Sequence, residues 1–359
     1  MSSPALDPVR IGLLGYGFGG RYFHAPLLAA APGCEFVGVV TTSAERRTLV
    51  EDEHPGVALL WSLAELAAAG AEAVAVSTPA GTHSALTDEA LRLGLAVVCD
   101  KPFALHPVAA RRSVALADEL GLLLCPYQNR RWDADFRTVR ALVEDGSLGE
   151  VQRLESRFER YAPHHGPGTS GGGTLMDFGA HLVDQALVLL GPVDSVYAEL
   201  RERESGLDDD VFLALQHASG AVSHLWGSWS QHAPGPRFRV TGTAGSLVLT
   251  TADTQEDVLV SGVGPVASQP WGVQRSCAAD VVHSGSGARG VSLLPGSWDA
   301  FYPAFARAVR GEGRPPVEAA DAVSTAVVLE AARVSAAHRE TVHLVAGTAH
   351  PSEIRPLSC

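Results

Sequence analysis

The first 126 residues alternate short, almost unbroken apolar runs with amphipathic helical stretches, and this alternation limits the fold more than any other feature. The runs are VRIGLL (9–14), EFVGVV (35–40), VALLW (57–61), EAVAVS (72–77), LAVVCD (95–100) and LLLCP (122–126). A strand that is apolar on both sides must be covered on both faces, as in a parallel sheet flanked by its crossover helices. One helical stretch runs to about Ala31, and segments such as ALTDEALRLG and PVAARRSVALADELG supply later ones. The pattern predicts an α/β domain over residues 1–126, a doubly wound parallel sheet of the Rossmann kind.

In such a sheet ligands bind beyond the carboxyl ends of the strands, so the residues that follow each run carry the functional reading. The first run leads into GYGFGG, in which Gly15, Gly17 and Gly20 match GxGxxG, with Tyr16, Phe18 and Gly19 between them. Glycines in those places allow a tight turn, close approach of backbone to a pyrophosphate, and close packing of the helix whose N-terminus faces the phosphates. The motif is weak alone; directly after the first strand of a βαβ unit it predicts dinucleotide binding.

The second run ends in VVTTSAERR. A site for NAD carries an acidic residue there to hold the ribose hydroxyls. This chain has Thr41, Thr42 and Ser43, with Arg46 and Arg47 just beyond and Glu45 read into the next helix; hydroxyls with guanidinium groups suit a 2′-phosphate, so the expected cofactor is NADP, with NAD as the alternative. The plainer reading makes Ser43 a helix N-cap and the arginines solvated. The fourth run ends in STPAGTH, placing Thr78 and Pro79 beside the cofactor. His83 either approaches it or occupies the first turn of the next helix.

The fifth run ends in Asp100-Lys101-Pro102. Lys101 is the only lysine among 27 basic residues. Arginine replaces lysine freely on a surface, but not where a compact ammonium with an adjustable pKa is needed. A single survivor at a strand's carboxyl end therefore marks a reacting centre, the other reading being chance survival of a surface lysine.

After Pro126 the pattern changes. A helix around DADFRTVRALVEDG precedes long alternating runs: EVQRLESRFERY (150–161), DSVYAELRER, DVFLALQHASG, AVSHLWGSWS, RFRVTG and GSLVLT. They predict hairpin-connected antiparallel strands, with a tight turn at 219–221. Residues 251–297 read as irregular strands and loops, with SGSGARG as a mobile tip. Two helices, near 299–310 and 319–338, and the strand TVHLV close a second α/β domain, 127–359, built on a large open sheet.

One helix in this half, GGGTLMDFGAHLVDQALVLLG, is apolar apart from a few polar residues. Asp177 and His181 lie four apart and share a face, with Asp184 nearby. A buried Asp/His pair is either a satisfied structural pair or a proton-transfer device. Asn129, Arg130, Trp132 and Tyr161 are further candidates for a pocket wall, Arg130 and Arg131 being alternatively structural ion-pair partners.

Other classes find little support. A net charge of −13 disfavours nucleic acid and anionic membranes as partners. There is no HExxH, zinc spacing, P-loop ending or GxSxG; His164-His165 reads as a solvated loop, and no metal is expected. The N-terminus lacks a signal-peptide pattern, and no apolar stretch is long enough for a bilayer. Five scattered cysteines, Cys34, Cys99, Cys125, Cys277 and Cys359, suit a reducing cytoplasm.

Together GYGFGG at 15–20, DKP at 100–102 and GGGTLMDFGAHLVD at 171–184 resemble the glucose-fructose oxidoreductase / inositol dehydrogenase (Gfo/Idh/MocA) family, over nearly the whole chain. GYGFGGRYFHAPLL and YQNRRWDADF are similar to an NADP-preferring scyllo-inositol dehydrogenase subgroup. After Tyr161, APHHGPGTSGGG stands where that subgroup carries a Trp-Arg-containing segment. The resemblance implies hydride transfer between nicotinamide and a secondary alcohol of a sugar or cyclitol. It places a lysine, aspartate and histidine catalytic set on Lys101, Asp177 and His181, which also contact substrate. It further implies a homodimer or homotetramer formed through the second sheet. Two rivals remain: a glycoside hydrolase of the same fold that uses bound NAD, and a dinucleotide-binding sensor without turnover.

Overall fold

A computed structural model describes residues 7–164, 172–203, 206–266, 269–344 and 355–356. The first sheet contains β1 (Val9–Leu14), β2 (Cys34–Val40), β3 (Ala58–Leu60), β4 (Ala73–Val76), β5 (Ala96–Cys99) and β6 (Leu124–Pro126). Its helices are α1 (Ala25–Ala30), α2 (Ala44–Glu53), α3 (Leu63–Ala68), α4 (His83–Arg92) and α5 (Pro107–Leu120). All strands are parallel, in the order β3-β2-β1-β4-β5-β6. The chain leaves β3 at one edge and returns beside β1 as β4, so the connections after β1 and β4 diverge and open a crevice there.

Local signals set the boundaries. α3 starts at Ser62, whose hydroxyl accepts from Glu65 N while Glu65 Oε2 reaches back to Trp61 N, a reciprocal capping pair. α5 begins with Pro107, which needs no N–H partner in the first turn, and ends at Gly121 with φ +64.

Among the described residues the second sheet has ten strands: β7 (Val151–Glu159), β8 (Val193–Glu202), β9 (Asp208–His217), β10 (Val222–Ser228), β11 (Phe238–Gly242), β12 (Gly245–Leu249), β13 (Val281–Ser284), β14 (Gly287–Gly290), β15 (Val342–His343) and β16 (Arg355–Pro356). Its order is β14-β13-β12-β11-β7-β10-β9-β8-β15-β16. Only β7 and β10 pair in parallel among the described pairings. Gly220, at φ +88, makes the turn between β9 and β10.

The helices of this half are α6 (Ala134–Glu144), α7 (Gly173–Leu190), α8 (Gln255–Val260), α9 (Phe301–Val309) and α10 (Ala319–His338). α7 lies against the sheet, with Leu175, Leu182 and Val183 buried among Leu213, Leu225 and Val240. Its N-terminus is anchored by Asp208, whose Oδ2 accepts from Leu175 N at 2.6 Å. α9 returns to the first sheet: Phe301, Tyr302 and Phe305 pack with Ile11, Leu13 and Tyr127. α10 touches α5 and β8, joining the two sheets.

Within 251–297 the irregular reading holds only in part. α8 stands there, and SGSGARG supplies the turn and the second strand of the hairpin β13–β14, which extends the sheet edge. Glycine and serine lack the alternating apolar pattern of a strand covered on one face, so the pairing left no period in the sequence.

Candidate active site

The glycine loop divides its work between its residues. Gly15 turns at φ +96, and a Cβ there would lie 2.3 Å from Ser77 O. A Cβ on Gly20 would lie 2.2 Å from Gly15 O, so the π-helical turn Gly20–His24 packs onto the loop only with glycine. At Gly17 a Cβ would meet only Arg46 Nη2, at 4.0 Å. The outer glycines serve packing and the middle one leaves open space, as close approach of a pyrophosphate requires. These residues fit a nicotinamide dinucleotide. Phe18 is 58% exposed and extends over the cleft described below.

Tyr16 departs from expectation. Its ring is buried, and its hydroxyl donates to Glu53 Oε2 at 2.6 Å, so the side chain braces α2 and offers the cofactor nothing. Arg21 is ion-paired with the same carboxylate.

At the end of β2, Ser43 caps α2 by accepting from Arg46 N at 3.4 Å, as the plainer reading held. The two arginines then part company. Arg47 donates to the carbonyls of Thr41, Leu59 and Leu60 and lies 3.9 Å over the Trp61 ring. Arg46 is exposed and leans toward Gly17, beside exposed Thr42.

His83 is also corrected as a cofactor contact. It is 1% exposed at the start of α4, with Nδ1 2.9 Å from Pro102 O and Nε2 2.7 Å from Thr78 O. It clamps two cofactor-side loops together from beneath. Thr78 and the exposed Pro79 remain at the carboxyl end of β4, and Thr78 Oγ1 pairs with Thr82 Oγ1 at 2.7 Å.

Asp100 lies under the glycine loop, where a Cβ on Gly19 would come within 2.9 Å of its Oδ2. Oδ1 accepts from Lys101 N and Oδ2 from Ser77 Oγ, each at 2.8 Å. Buried His24 brings Nε2 to 3.3 Å from Oδ2, an ion-pair distance off the line of a hydrogen bond, while its Nδ1 meets Tyr302 Oη at 2.5 Å. Burial would raise the Asp100 carboxyl, but His24 and the nearby His83 and Lys101 outweigh it and hold the group far below the usual carboxylate range. The Lys101–Pro102 peptide is cis.

Lys101 Nζ donates to Asp177 Oδ1. His181, one turn further along α7, is 3% exposed. Its Nδ1 is buried without a partner, which leaves Nε2 as the nitrogen the cleft can reach. Burial, and then the charges of Lys101, Arg130 and Arg237, push this imidazole well below its ordinary value, so it is neutral at physiological pH. Asp184 belongs to a different structure: it takes two hydrogen bonds from Arg131, at 2.8 and 2.6 Å, and Arg131 also pairs with Asp321.

These groups line one cleft of about 210 Å³ between the sheets. Lys101, Asp177 and His181 meet there with Asn129 and Phe18; α7 adds Phe178, and the ends of β7 and β10 add Arg160 and Trp229. Glu256 of α8 and Arg130 stand in the same wall, with Asp100, Phe23 and Tyr127 below. Two expected wall residues are elsewhere. Trp132 is half-buried and packs edge-on against Phe301 of α9 at 5.5 Å, at the side of the aromatic core. Tyr161 is 54% exposed and stacks on His232 at 3.5 Å, outside the cleft lining among the described residues. Sequence reasoning missed Arg160, Phe178, Trp229 and Glu256; only Phe178, next to Asp177, had a signal. The glycine-rich loop before α7 falls mostly outside the described residues, as does His165, and His164 is exposed. Among the described residues no cluster of three His, Cys, Asp or Glu side chains could hold a metal ion, and no helix is long and apolar enough to cross a membrane.

A six-stranded dinucleotide-binding sheet joined to a large open sheet, with a cleft of charged and aromatic side chains between them, defines a two-domain nicotinamide-dependent oxidoreductase. Residues 9–128 match the model of the oxidoreductase family with an NAD-binding Rossmann fold, and residues 136–248 match the GFO/IDH/MocA C-terminal domain. The chain belongs to the Gfo/Idh/MocA oxidoreductase family. It is 35% identical over 347 residues to the Escherichia coli oxidoreductase YdgJ, covering 94% of this chain and 99% of that one. It is 30% identical over 351 residues to the NADP(+)-dependent scyllo-inositol 2-dehydrogenase IolW of Bacillus subtilis, covering 94% and 97%. A crystal structure of an oxidoreductase from Klebsiella pneumoniae superposes with a TM-score of 0.87 at 32% identity, covering 97% of each chain.

Proposed function

We propose that the protein is an NADP-dependent dehydrogenase acting on a secondary alcohol of a sugar or cyclitol. The observation that carries this reading is the meeting of Lys101, Asp177 and His181 in one cleft beside the glycine loop. The nicotinamide supplies the hydride acceptor or, in the other direction, the hydride donor. Neutral His181 takes the hydroxyl proton at Nε2 during oxidation. Lys101 Nζ donates to the same oxygen and stabilises its developing negative charge. Asp177 holds the ammonium in place through their ion pair. Backbone around Gly17 holds the pyrophosphate, and Thr78 and Asn129 border the nicotinamide end.

Preference for NADP rests on the end of β2, where Thr42, Ser43 and Arg46 stand and the nearest carboxylate, Glu45, belongs to the first turn of α2, and on the likeness to IolW. Self-association through the second sheet is part of the proposal. Phe212, His224 and Trp226 occupy the face of β9 and β10 opposite Leu213 and Leu225, with Phe212 and Trp226 rings 5.2 Å apart. The free thiols of Cys34, Cys99, Cys125 and Cys277 suit action in the cytoplasm. Titrating the protein with NADP+ and NAD+, then measuring rates with inositols and aldoses, tests the reading. Tighter NADP+ binding with no alcohol-dependent reduction would count against it.

A further inference from the structure

The cleft wall carries a charge arrangement that hydride transfer does not require. Among the described residues three cations line the cleft: Lys101, Arg130 and Arg160. Lys101 is neutralised by Asp177. Arg130 is ion-paired with Glu256, and stands 3.4 Å from Asp133. Asp133 is buried and stands outside the cleft lining among the described residues, so within the cleft Arg130 meets Glu256. Arg160, stacked over Phe178 and Trp229 at 5.2 and 5.1 Å, has its Nη1 3.7 Å from Glu256 Oε1. One carboxylate thus serves two guanidinium groups. Burial would raise that carboxylate too, but Arg130 and Arg160 outweigh burial and keep Glu256 ionised.

We propose that Glu256 is a specificity-determining residue that sets the charge of the substrate this cleft accepts. The inference rests on the dehydrogenase reading above and adds a residue to it. With Glu256 in place, every cation of the cleft among the described residues has a carboxylate partner. A substrate carboxylate or phosphate would have to displace Glu256 or sit against it. A neutral polyol meets neither obstacle. Oε1 stands beyond hydrogen-bond distance from Arg160, so it keeps acceptor capacity for a substrate hydroxyl. Arg160 donates to a neighbouring hydroxyl oxygen. The stacked pair Phe178 and Trp229, 4.7 Å apart, offers an apolar wall to the C–H face of the ring. Without Glu256, Arg130 and Arg160 become a paired-guanidinium receptor of the kind that binds carboxylates and phosphates.

The test uses the full chain loaded with NADP+ and two probes, glucose and glucuronate, which differ by a hydroxymethyl group against a carboxylate. Binding is read by calorimetry, and hydride transfer is recorded in parallel. Wild type is expected to prefer glucose; Glu256→Gln should shift the preference toward glucuronate by at least about tenfold. Arg160→Gln keeps the Arg130–Glu256 pair intact and should shift it the opposite way. A purely structural role for Glu256 moves both probes together and leaves the ratio unchanged. An unchanged ratio in both variants overturns the proposal, as does binding of neither probe to wild type. Opposite shifts without hydride transfer uphold Glu256 as the charge determinant and sink the dehydrogenase reading. Hydride transfer with unshifted ratios does the reverse.

Discussion

The ammonium of Lys101, at the carboxyl end of β5, is ion-paired with Asp177 on α7, 76 residues further along the chain. The pair spans the joint between the two sheets, so the first domain supplies the donor and the second holds it. Both side chains keep partial exposure, 24% and 29%, toward the cleft. Asp177→Asn removes the counter-ion but keeps the shape. It should lower kcat by roughly a hundredfold while the cofactor Kd changes by less than about threefold, as measured by steady-state kinetics and cofactor titration.

His181 sets the pH dependence. Its folded-state pKa lies well below the ordinary value because the ring is buried and faces three cations. Oxidation of the alcohol needs the neutral ring, so kcat/KM should stay flat from about pH 8 down to about pH 6.5 and fall only below that. Stability follows the same sign. Protonation favours the unfolded chain, whose histidine keeps the ordinary pKa, so this contribution is intact above about pH 6.5 and is lost as the pH falls below it. Replacing His181 with Asn should flatten the acid limb of the melting-temperature profile as well as lower kcat.

Arg46 should decide between the two cofactors. Arg46→Ala removes a guanidinium available to a 2′-phosphate and leaves Arg47, bound to three backbone carbonyls, in place. The KM for NADP+ should rise about ten- to a hundredfold, and that for NAD+ should stay within about threefold. Equal changes for both would remove Arg46 from cofactor selection.

The glycines should separate stability from binding. Gly20→Ala forces a Cβ against Gly15 O and should destabilise the fold by about 1–3 kcal/mol. Gly17→Ala meets open space apart from Arg46 Nη2 at 4.0 Å, so its melting temperature should match wild type while cofactor affinity drops. Thermal melts with and without NADP+ distinguish the two.

The cofactor half was legible because a parallel sheet places its chemistry directly after its strands, where sequence order and spatial order agree. Lys101 was found that way, and Asp177 and His181 by their helical spacing. Tyr16 and His83 misled for the same reason: both follow strands, yet each turns its side chain inward to Glu53 or to loop carbonyls. The substrate wall was harder to read. Arg160, Trp229 and Glu256 come from the ends of two strands and from α8, far apart in sequence, and only the folding of the second sheet brings them together. Trp132 lies three residues from Asn129 but turns away, against Phe301 of α9.

The most direct test of the account is the appearance of reduced nicotinamide absorbance when the protein is mixed with NADP+ and a panel of inositols and aldoses, with Lys101→Met alongside. Wild type should show alcohol-dependent reduction, and the variant a loss of at least about a hundredfold with NADP+ still bound. Equal rates for the two proteins would contradict it, and would mean that the chain's single lysine has no part in the reaction.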